Sequence, residues 1–181
     1  MFSLVLSVFS PFTSITKQAK MENESKALDV PDWCKFCKAS VERGFNIVYE
    51  DASFLAFEDR KPASRHHYLV VPKQHIESVR LLKSSDVDLV KNMEIIGHTI
   101  LSNLDVPISM RVMGFHIPPF NSVYHLHLHV QGLPYRSARS ASKYLIRPGF
   151  GGYSKGLSWF VEISQAIQIL ERRNFVGVLP C

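Results

Sequence analysis

Three histidines stand at every second position of the stretch HLHLHVQ, residues 125–131, with apolar residues between them. An alternation of period two is typical of a half-buried β-strand, so His125, His127 and His129 are predicted to share one strand face. An imidazole titrates near neutral pH and is a common metal ligand. The pattern therefore indicates one of four things: exposed histidines without a role, a metal site, nucleophilic catalysis on an anion, or a metal site and catalysis divided among different histidines.

A second group of residues favours the divided roles. Cys34 and Cys37 form a C-x-x-C pair, which is a metal half-site or a redox pair in an intracellular protein. Same-face positions on a strand lie about 7 Å apart, so three alternating histidines do not easily bind one ion. His75 and one histidine of the strand could complete a tetrahedral site with the cysteines. Such a site would attach the N-terminal segment to the sheet.

Length and composition limit the class of protein. A chain of 181 residues, 46% hydrophobic and 20% charged, is typical of one soluble globular domain. A net charge of +5 is compatible with an anionic substrate or a nucleic acid and distinguishes neither. No stretch is long and apolar enough to span a bilayer, so no membrane association is expected. Residues 1–30 are predicted to be a disordered leader. The other interpretations are a targeting segment or an alternative start at Met21. The protein is expected in the cytoplasm, or else in the nucleus.

The periodicities predict an α+β fold. Five β-rich runs, NIVYE, FLAFE, HYLVVP, MRVMGF and residues 123–131, are expected to form a five-stranded antiparallel sheet. One long helix is predicted over 85–104, with Ser85 and Asp88 as a capping box, and a short helix over 32–44. Residues 134–156 read as an irregular basic loop and 158–172 as a C-terminal helix. The predicted organisation is a domain over 31–135, with 136–181 packed on it.

The motifs, in their order, resemble the histidine triad (HIT) family. These motifs are WCKFC, VYEDASFLAFEDRKPASRHHYLVVPKQHI and RVMGFHIPPFNSVYHLHLHV, and they cover most of residues 33–132. The family motif is His-φ-His-φ-His-φ-φ with φ apolar, and Gln131 departs from it at the last position. The segments GFHIPPF, KYLIRPG and WFVEISQAIQIL are similar to the third Hint-type branch, which stands between the Hint hydrolases and aprataxin. The resemblance implies a HIT-like fold.

The resemblance also implies a role for individual residues. His127 matches the nucleophile that attacks the α-phosphorus of a nucleoside monophosphate derivative to form a nucleotidyl-histidine. His129 matches the histidine that contacts phosphate and leaving group, His67 the upstream histidine that completes the site, and Ser122 the serine that hydrogen-bonds the phosphate. Asp59 matches the aspartate that binds the ribose hydroxyls. The full nucleotide-binding set implied is Phe57, Asp59, Arg60, His116, Ser122, Val123, His127 and His129, and the implied zinc ligands are Cys34, Cys37, His75 and His125.

Two positions depart from the ordinary Hint pattern. Gly114 stands where those proteins have an asparagine, and Arg60 stands where many have an isoleucine, which changes the expected contacts to the base. His116 follows the third branch and is expected either to touch the phosphate or leaving group, or to make a structural hydrogen bond.

The expected function is hydrolysis of adenosine phosphoramidates and acyl-adenylates through a nucleotidyl-histidine, with zinc as a structural cofactor and no requirement for Mg²⁺. The alternatives are aprataxin-like removal of AMP from 5′-adenylated nucleic acid, hydrolysis of dinucleoside polyphosphates, and a non-catalytic nucleotide sensor or scaffold. The resemblance implies a homodimer with a continuous sheet. Nucleic acid is a less favoured partner. The residues that would bind it lie in the basic loop: Arg136, Arg139, Lys143 and Arg147.

Overall fold

An antiparallel sheet organises the chain. The structure is a computed structural model, and it describes residues 31–181, so the predicted leader over 1–30 lies outside the described residues. Within 31–181 the sheet has six strands: β1 (Ile47–Glu50), β2 (Phe54–Glu58), β3 (Ser64–Pro72), β4 (Arg111–His116), β5 (Leu128–Tyr135) and β6 (Phe160–Glu162). Their order across the sheet is β1-β2-β3-β5-β4-β6. The predicted α+β class with an antiparallel sheet is confirmed, and the predicted count of five strands is wrong by one.

The additional strand, β6, comes from a segment that the sequence assigned to the final helix. Trp159, Phe160 and Val161 are aromatic or β-branched residues, which suit a strand better than a helix. They lie beside the outer edge of β4, where Phe115 pairs with Val161 and His116 with Phe160. The backbone N–H and C=O groups at the edge of β4 therefore pair with this segment, and helix α3 (Ile163–Glu171) begins only after it.

Gly114 allows β6 to pack closely against β4, because it has no side chain. A Cβ on Gly114 would lie 2.2 Å from the carbonyl oxygen of Val161 and 2.7 Å from the ring of Phe160. The departure noted at this position thus has a structural cause, because any side chain here would push β6 away from β4.

Two helices cover one face of the sheet. Helix α1 (Val87–Ser102) buries Val90, Met93, Ile96 and Ile100 in the same apolar cluster as Ile163, Ile169 and Leu170 of α3. Gly97 allows close packing, since a Cβ there would lie 2.6 Å from the sulfur of Met113. The predicted helix over 85–104 is therefore confirmed in its core, although Leu104 lies beyond its end.

The caps differ from those predicted. Asp86, and not Ser85, is the residue before α1, and the expected Ser85–Asp88 capping box does not form. The carboxylate of Asp86 accepts from the backbone N–H of Lys83 instead. Helix α3 instead has a capping box, in which the Glu162 carboxylate accepts from the N–H groups of Ser164 and Gln165, and the Gln165 side chain accepts from the Glu162 N–H. The basic segment contains a short helix, α2 (Ala138–Ser142), where a loop was expected.

Two further predictions of local structure are wrong. The segment 32–44 forms turns and a single 3₁₀ turn, Val41–Arg43, because its side chains pack toward the sheet and the cysteine cluster, and not along one helical face. The histidine strand begins at Leu128 and not at residue 123. Before Leu128 the backbone leaves the sheet, and the N–H of Leu126 donates to the carbonyl of Ile76 instead.

Membrane-spanning character was tested on the same part of the chain. Among residues 31–181, none of the helices has both the length and the apolar composition needed to cross a bilayer.

The contact at Gly114 gives a test of the sixth strand. We expect Gly114→Ala to lower the free energy of unfolding by about 1–3 kcal/mol, as overpacking does, and to speed amide hydrogen exchange at Val161. Denaturant unfolding and hydrogen exchange measure the two effects. The matched control is Gly177→Ala, where a Cβ would meet nothing within 4 Å. Equal stability of the two variants would contradict the proposed packing.

Candidate active site

Three adjacent strands bring three histidines onto one face of the sheet. In the register of β3 with β5, His67 pairs with Gln131 and Leu69 with His129. In the register of β5 with β4, His129 pairs with Gly114, so His116 lies two residues along on the same face. The antiparallel pairing therefore places His67, His129 and His116 side by side, although they are distant in sequence.

These histidines form a continuous row of hydrogen bonds. The Nε2 atom of His67 lies 2.9 Å from Nδ1 of His129, and Nε2 of His129 lies 3.0 Å from Nδ1 of His116. The backbone N–H of Ala63 donates to Nδ1 of His67 at 3.1 Å, and Nε2 of His116 lies 3.1 Å from the carbonyl oxygen of Lys143. Every ring nitrogen of the row has a partner.

Burial keeps the row uncharged at neutral pH. It lowers the pKa of His67 to about 4, against a smaller opposing effect of the Asp59 carboxylate. The pKa of His116 is lowered to about 4, again mainly by burial, and that of His129 is lowered well below its ordinary value by burial and by the neighbouring imidazoles. At pH 7 the row therefore consists of neutral imidazoles.

His127 is separate from the row and is oriented by its own backbone. Its Nδ1 lies 2.6 Å from the carbonyl oxygen of His125. A carbonyl only accepts, so Nδ1 carries the proton and Nε2 keeps a lone pair. Burial lowers the pKa of His127, which favours this neutral form. The ring packs edge-on against Phe36 at 5.4 Å and lies 5.0 Å from the ring of His129.

An open pocket of about 750 Å³ lies over this face, within the size range of small-molecule sites. All the side chains predicted to contact the nucleotide line it: Phe57, Asp59, Arg60, His116, Ser122, Val123, His127 and His129. His67 does not line it and is 1% exposed, so it lies behind the lining residues His129 and Asp59. The predicted catalytic set is thus brought together, with His67 behind the others.

The pocket has an apolar half and a charged rim. Phe36, Phe45, Phe57 and Leu69 form one wall, and the Phe45 and Phe57 rings lie 4.8 Å apart edge to face. The guanidinium of Arg60 lies 4.7 Å above the Phe45 ring and donates to the carbonyl of Arg43. Lys35, Lys61 and Lys143 add positive charge at the rim, which suits a phosphate.

Asp59 is held at the edge of the pocket beside the histidine row. One carboxylate oxygen accepts from the backbone N–H of Lys61 at 2.8 Å, and the other lies 3.6 Å from Nε2 of His67. Ser122 is exposed and lines the same pocket, beside Val123.

Sequence reasoning missed part of the lining. Phe36 and Phe45 come from the N-terminal segment, Phe120 from the proline-rich loop, and Tyr144 and Trp159 from the basic segment and the residue before β6. The signal available was the presence of single aromatic residues in otherwise polar or irregular stretches. Their convergence depends on the path of the chain and not on local pattern.

The four residues predicted as metal ligands form one cluster. The ligand atoms of Cys34, Cys37, His75 and His125 all lie within 4.8 Å of one another. The Nδ1 atom of His125 lies 3.3 Å from each sulfur and 3.3 Å from Nδ1 of His75. The Nε2–H of His125 donates to the carbonyl of Pro72 at 2.9 Å, so the lone pair on Nδ1 points into the cluster. Two thiols and two imidazole nitrogens at these separations fit a tetrahedral zinc ion.

The chain was compared with known proteins. Residues 33–144 match the family model described as scavenger mRNA decapping enzyme C-term binding, which covers more than half of the chain. The bifunctional adenosine 5′-phosphosulfate phosphorylase/adenylylsulfatase HINT4 of Arabidopsis thaliana is 45% identical over 109 residues, 59% of this chain and 74% of that protein. The adenosine 5′-monophosphoramidase HINT3 of Mus musculus is 35% identical over 143 residues, 77% of this chain and 82% of that protein.

A solved structure agrees with the fold. The HIT family hydrolase from Clostridium thermocellum superposes with a TM-score of 0.53 at 25% identity, covering 59% of this chain and 96% of that chain. Together with the matched family model and the extent of the HINT3 match, this shows that the chain belongs to the histidine triad family, as a Hint-type member.

Proposed function

We propose that this chain hydrolyses AMP derivatives at the α-phosphorus, with adenosine phosphoramidates and acyl-adenylates as its substrates. The observation that carries the proposal is the hydrogen bond from Nδ1–H of His127 to the His125 carbonyl. It leaves Nε2 as a neutral nucleophile in a ring that lines the nucleotide-sized pocket. That the relatives include a HINT3 named as an adenosine 5′-monophosphoramidase supports the substrate class.

The bound nucleotide divides between the two parts of the pocket. The base stacks on the aromatic wall that includes Phe45 and Phe57, and Asp59 accepts hydrogen bonds from the ribose hydroxyls. The phosphate lies over His127, where the N–H of His129 and the hydroxyl of Ser122 donate to its oxygens. The lysines at the rim attract the anion and offset its charge.

The reaction then proceeds in two displacements. Nε2 of His127 forms a bond to phosphorus as the P–N bond of a nitrogen-protonated phosphoramidate breaks, and a neutral amine departs. With an acyl-adenylate the bond to the acyl oxygen breaks, and a carboxylate departs. Water next attacks the phosphorus of the nucleotidyl-histidine, releasing AMP and a proton and restoring the neutral imidazole.

We also propose that Cys34, Cys37, His75 and His125 hold a structural zinc ion. Burial, followed by the hydrogen bond with Cys34, raises the pKa of Cys37 to about 12, so a bound cation would have to displace the thiol proton. When bound, zinc supplies no reacting group; it links the N-terminal segment to the residue whose carbonyl orients His127. Phe36, between the two cysteines, is thereby held against the catalytic ring.

The homodimer and the cytoplasmic or nuclear location stay predictions. Because β6 occupies the outer edge of β4, a continuous sheet between two copies would have to form at β1 or at the three-residue β6.

The nucleophile is tested by substitution. We expect His127→Ala to reduce the kcat for a fluorogenic adenosine phosphoramidate at least about 1,000-fold while AMP still binds. His66→Ala, the neighbour of His67 that does not line the pocket, is the matched control and should keep full activity.

Other outcomes of this assay are informative. If the wild type releases no AMP from the phosphoramidate but deadenylates a 5′-adenylated oligonucleotide, the aprataxin-like alternative replaces the proposed function. AMP binding without turnover of either substrate would favour a nucleotide sensor.

The pH dependence of the reaction follows from the burial of His127. An imidazole nucleophile works only unprotonated, and burial lowers its pKa below the ordinary 6.5. We therefore expect kcat/KM to have its maximum value above pH 6.5 and to decline only as the pH falls below that value. AMP release from the p-nitrophenyl ester of AMP, quantified by chromatography between pH 4.5 and 8, measures this. A half-maximal kcat/KM at or above pH 6.5 would be inconsistent with a neutral, buried nucleophile.

Metal content tests the cysteine cluster. We expect the purified chain to carry about one zinc ion, and free zinc at about 100 times its Kd to add about 3 kcal/mol to the free energy of unfolding. Cys37→Ser should lose both effects, whereas Cys181→Ser, the third cysteine outside the cluster, should keep them. Elemental analysis and denaturant unfolding are the measurements. A wild-type chain that binds no zinc in either measurement would refute the proposal.

A further inference from the structure

The histidine row lies between two backbone groups of fixed polarity. At one end the N–H of Ala63 points at Nδ1 of His67, and at the other Nε2 of His116 meets the carbonyl oxygen of Lys143. An amide N–H can only donate and a carbonyl oxygen can only accept. The two ends therefore limit where the protons of the imidazoles can lie.

The positions of the protons follow one after another along the row. Because Nδ1 of His67 accepts from Ala63, a neutral His67 has its proton on Nε2 and donates to Nδ1 of His129. His129 then has its proton on Nε2 and donates to Nδ1 of His116. His116 in turn has its proton on Nε2 and donates to the Lys143 carbonyl, which is the polarity that this acceptor requires. The two ends thus specify the same arrangement.

This arrangement disfavours two other uses of the row. An additional proton would have to sit on a ring nitrogen that already accepts a hydrogen bond. A metal ion between Asp59, His67 and His129, whose ligand atoms lie within 4.8 Å of one another, would need a lone pair on Nε2 of His67, where the proton is. The row is consistent with a neutral set of donors and not with a cation site.

The C-terminal part of the chain completes the arrangement. The carbonyl oxygen of Lys143 also accepts from the indole Nε1–H of Trp159, at 3.0 Å. Both of its lone pairs are then used, and Trp159 holds the oxygen in place opposite His116. Trp159 directly precedes β6, so the pairing of β6 with β4 determines where this indole lies.

We propose that His116 and Trp159 are positioning residues for the N–H of His129. His116 accepts from the Nε2–H of His129, and Trp159 holds the Lys143 carbonyl to which His116 donates. The functional part of this inference rests on the proposed function, because a phosphoryl oxygen can only accept and so requires an N–H, and not a lone pair, from His129. His116 keeps that N–H directed until the nucleotide binds. The C-terminal segment thereby contributes to the active site without contacting the reacting atoms.

The proton positions can be measured without any substrate. Histidine-labelled ¹⁵N NMR of the full chain at pH 7 distinguishes protonated from unprotonated ring nitrogens, and single His→Gln variants assign the signals. We expect Nε2–H in His67, His129 and His116, and Nδ1–H in His127. A proton on Nδ1 of His129 in the wild type would overturn the proposal whatever the activity, whereas failure of the phosphoramidase assay would leave this readout unaffected.

Two substitutions at position 116 separate positioning from simple packing. In His116→Gln the amide can accept from His129 and donate to Lys143, so we expect the His129 proton to stay on Nε2. In His116→Leu neither bond is possible, so the Nε2–H of His129 loses its acceptor while the His67 end still specifies its proton. We expect a shifted and broadened His129 Nε2 signal and a kcat about 10- to 100-fold lower with KM changed less than about threefold. Identical His129 signals in the two variants would overturn the positioning role.

Trp159 has its own test. Trp159→Phe keeps a ring but removes the N–H, and we expect kcat to fall up to about tenfold together with a shift of the His129 Nε2 signal smaller than that in His116→Leu. Tyr153→Phe, which removes a polar hydrogen from an exposed aromatic residue outside the pocket, is the control and should change neither quantity. An unchanged His129 signal in Trp159→Phe would remove Trp159 from the proposal.

Discussion

The burial of several imidazoles on one face of a sheet is the constraint on which the rest of this structure depends. A buried imidazole is favoured in its neutral form with its N–H hydrogen-bonded, since an unpaired buried polar group costs about 1–3 kcal/mol. In this chain backbone groups supply the terminal partners, at Ala63 and Lys143 for the row and at His125 for His127. The same bonds that stabilise the buried histidines therefore also determine which nitrogen of each can attack or donate.

This constraint explains why distant parts of the chain converge on the site. The carbonyl of Lys143 comes from the C-terminal end of α2, and it is in position because Trp159 and β6 return to the edge of β4. Gly114 permits that return by leaving room for Val161. The hydrogen-bonded row thus depends on Gly114 in β4, on the sixth strand and on the indole of Trp159. The last two lie beyond the family match over residues 33–144.

The first and third histidines of the motif, His125 and His129, have different surroundings because each needs its own hydrogen-bond partners. His125 turns its Nδ1 toward two sulfurs and another imidazole, while its carbonyl faces His127. His129 lies inside β5 and bonds only to imidazoles. Alternate residues of one short segment therefore belong to the cysteine–histidine cluster, the proposed nucleophile and the histidine row. The zinc proposal and the catalytic proposal share a single stretch of backbone.

Much of this protein could be predicted from the sequence alone. The alternating histidines, the C-x-x-C pair and the apolar stripe of α1 report local burial and side-chain chemistry, and they predicted the fold class and the cysteine–histidine cluster. The resemblance of the motifs to the histidine triad family predicted eight of the residues that line the pocket. The tertiary structure decided what depends on partners far along the chain: the start of the strand at Leu128, the sixth strand, the aromatic pocket lining from Phe36 and Tyr144, and the position of His67 behind His129. The physical reason is that periodicity records which side of an element is buried, whereas a hydrogen-bond partner or a pocket wall is set by the register between strands and by the path of the chain outside them.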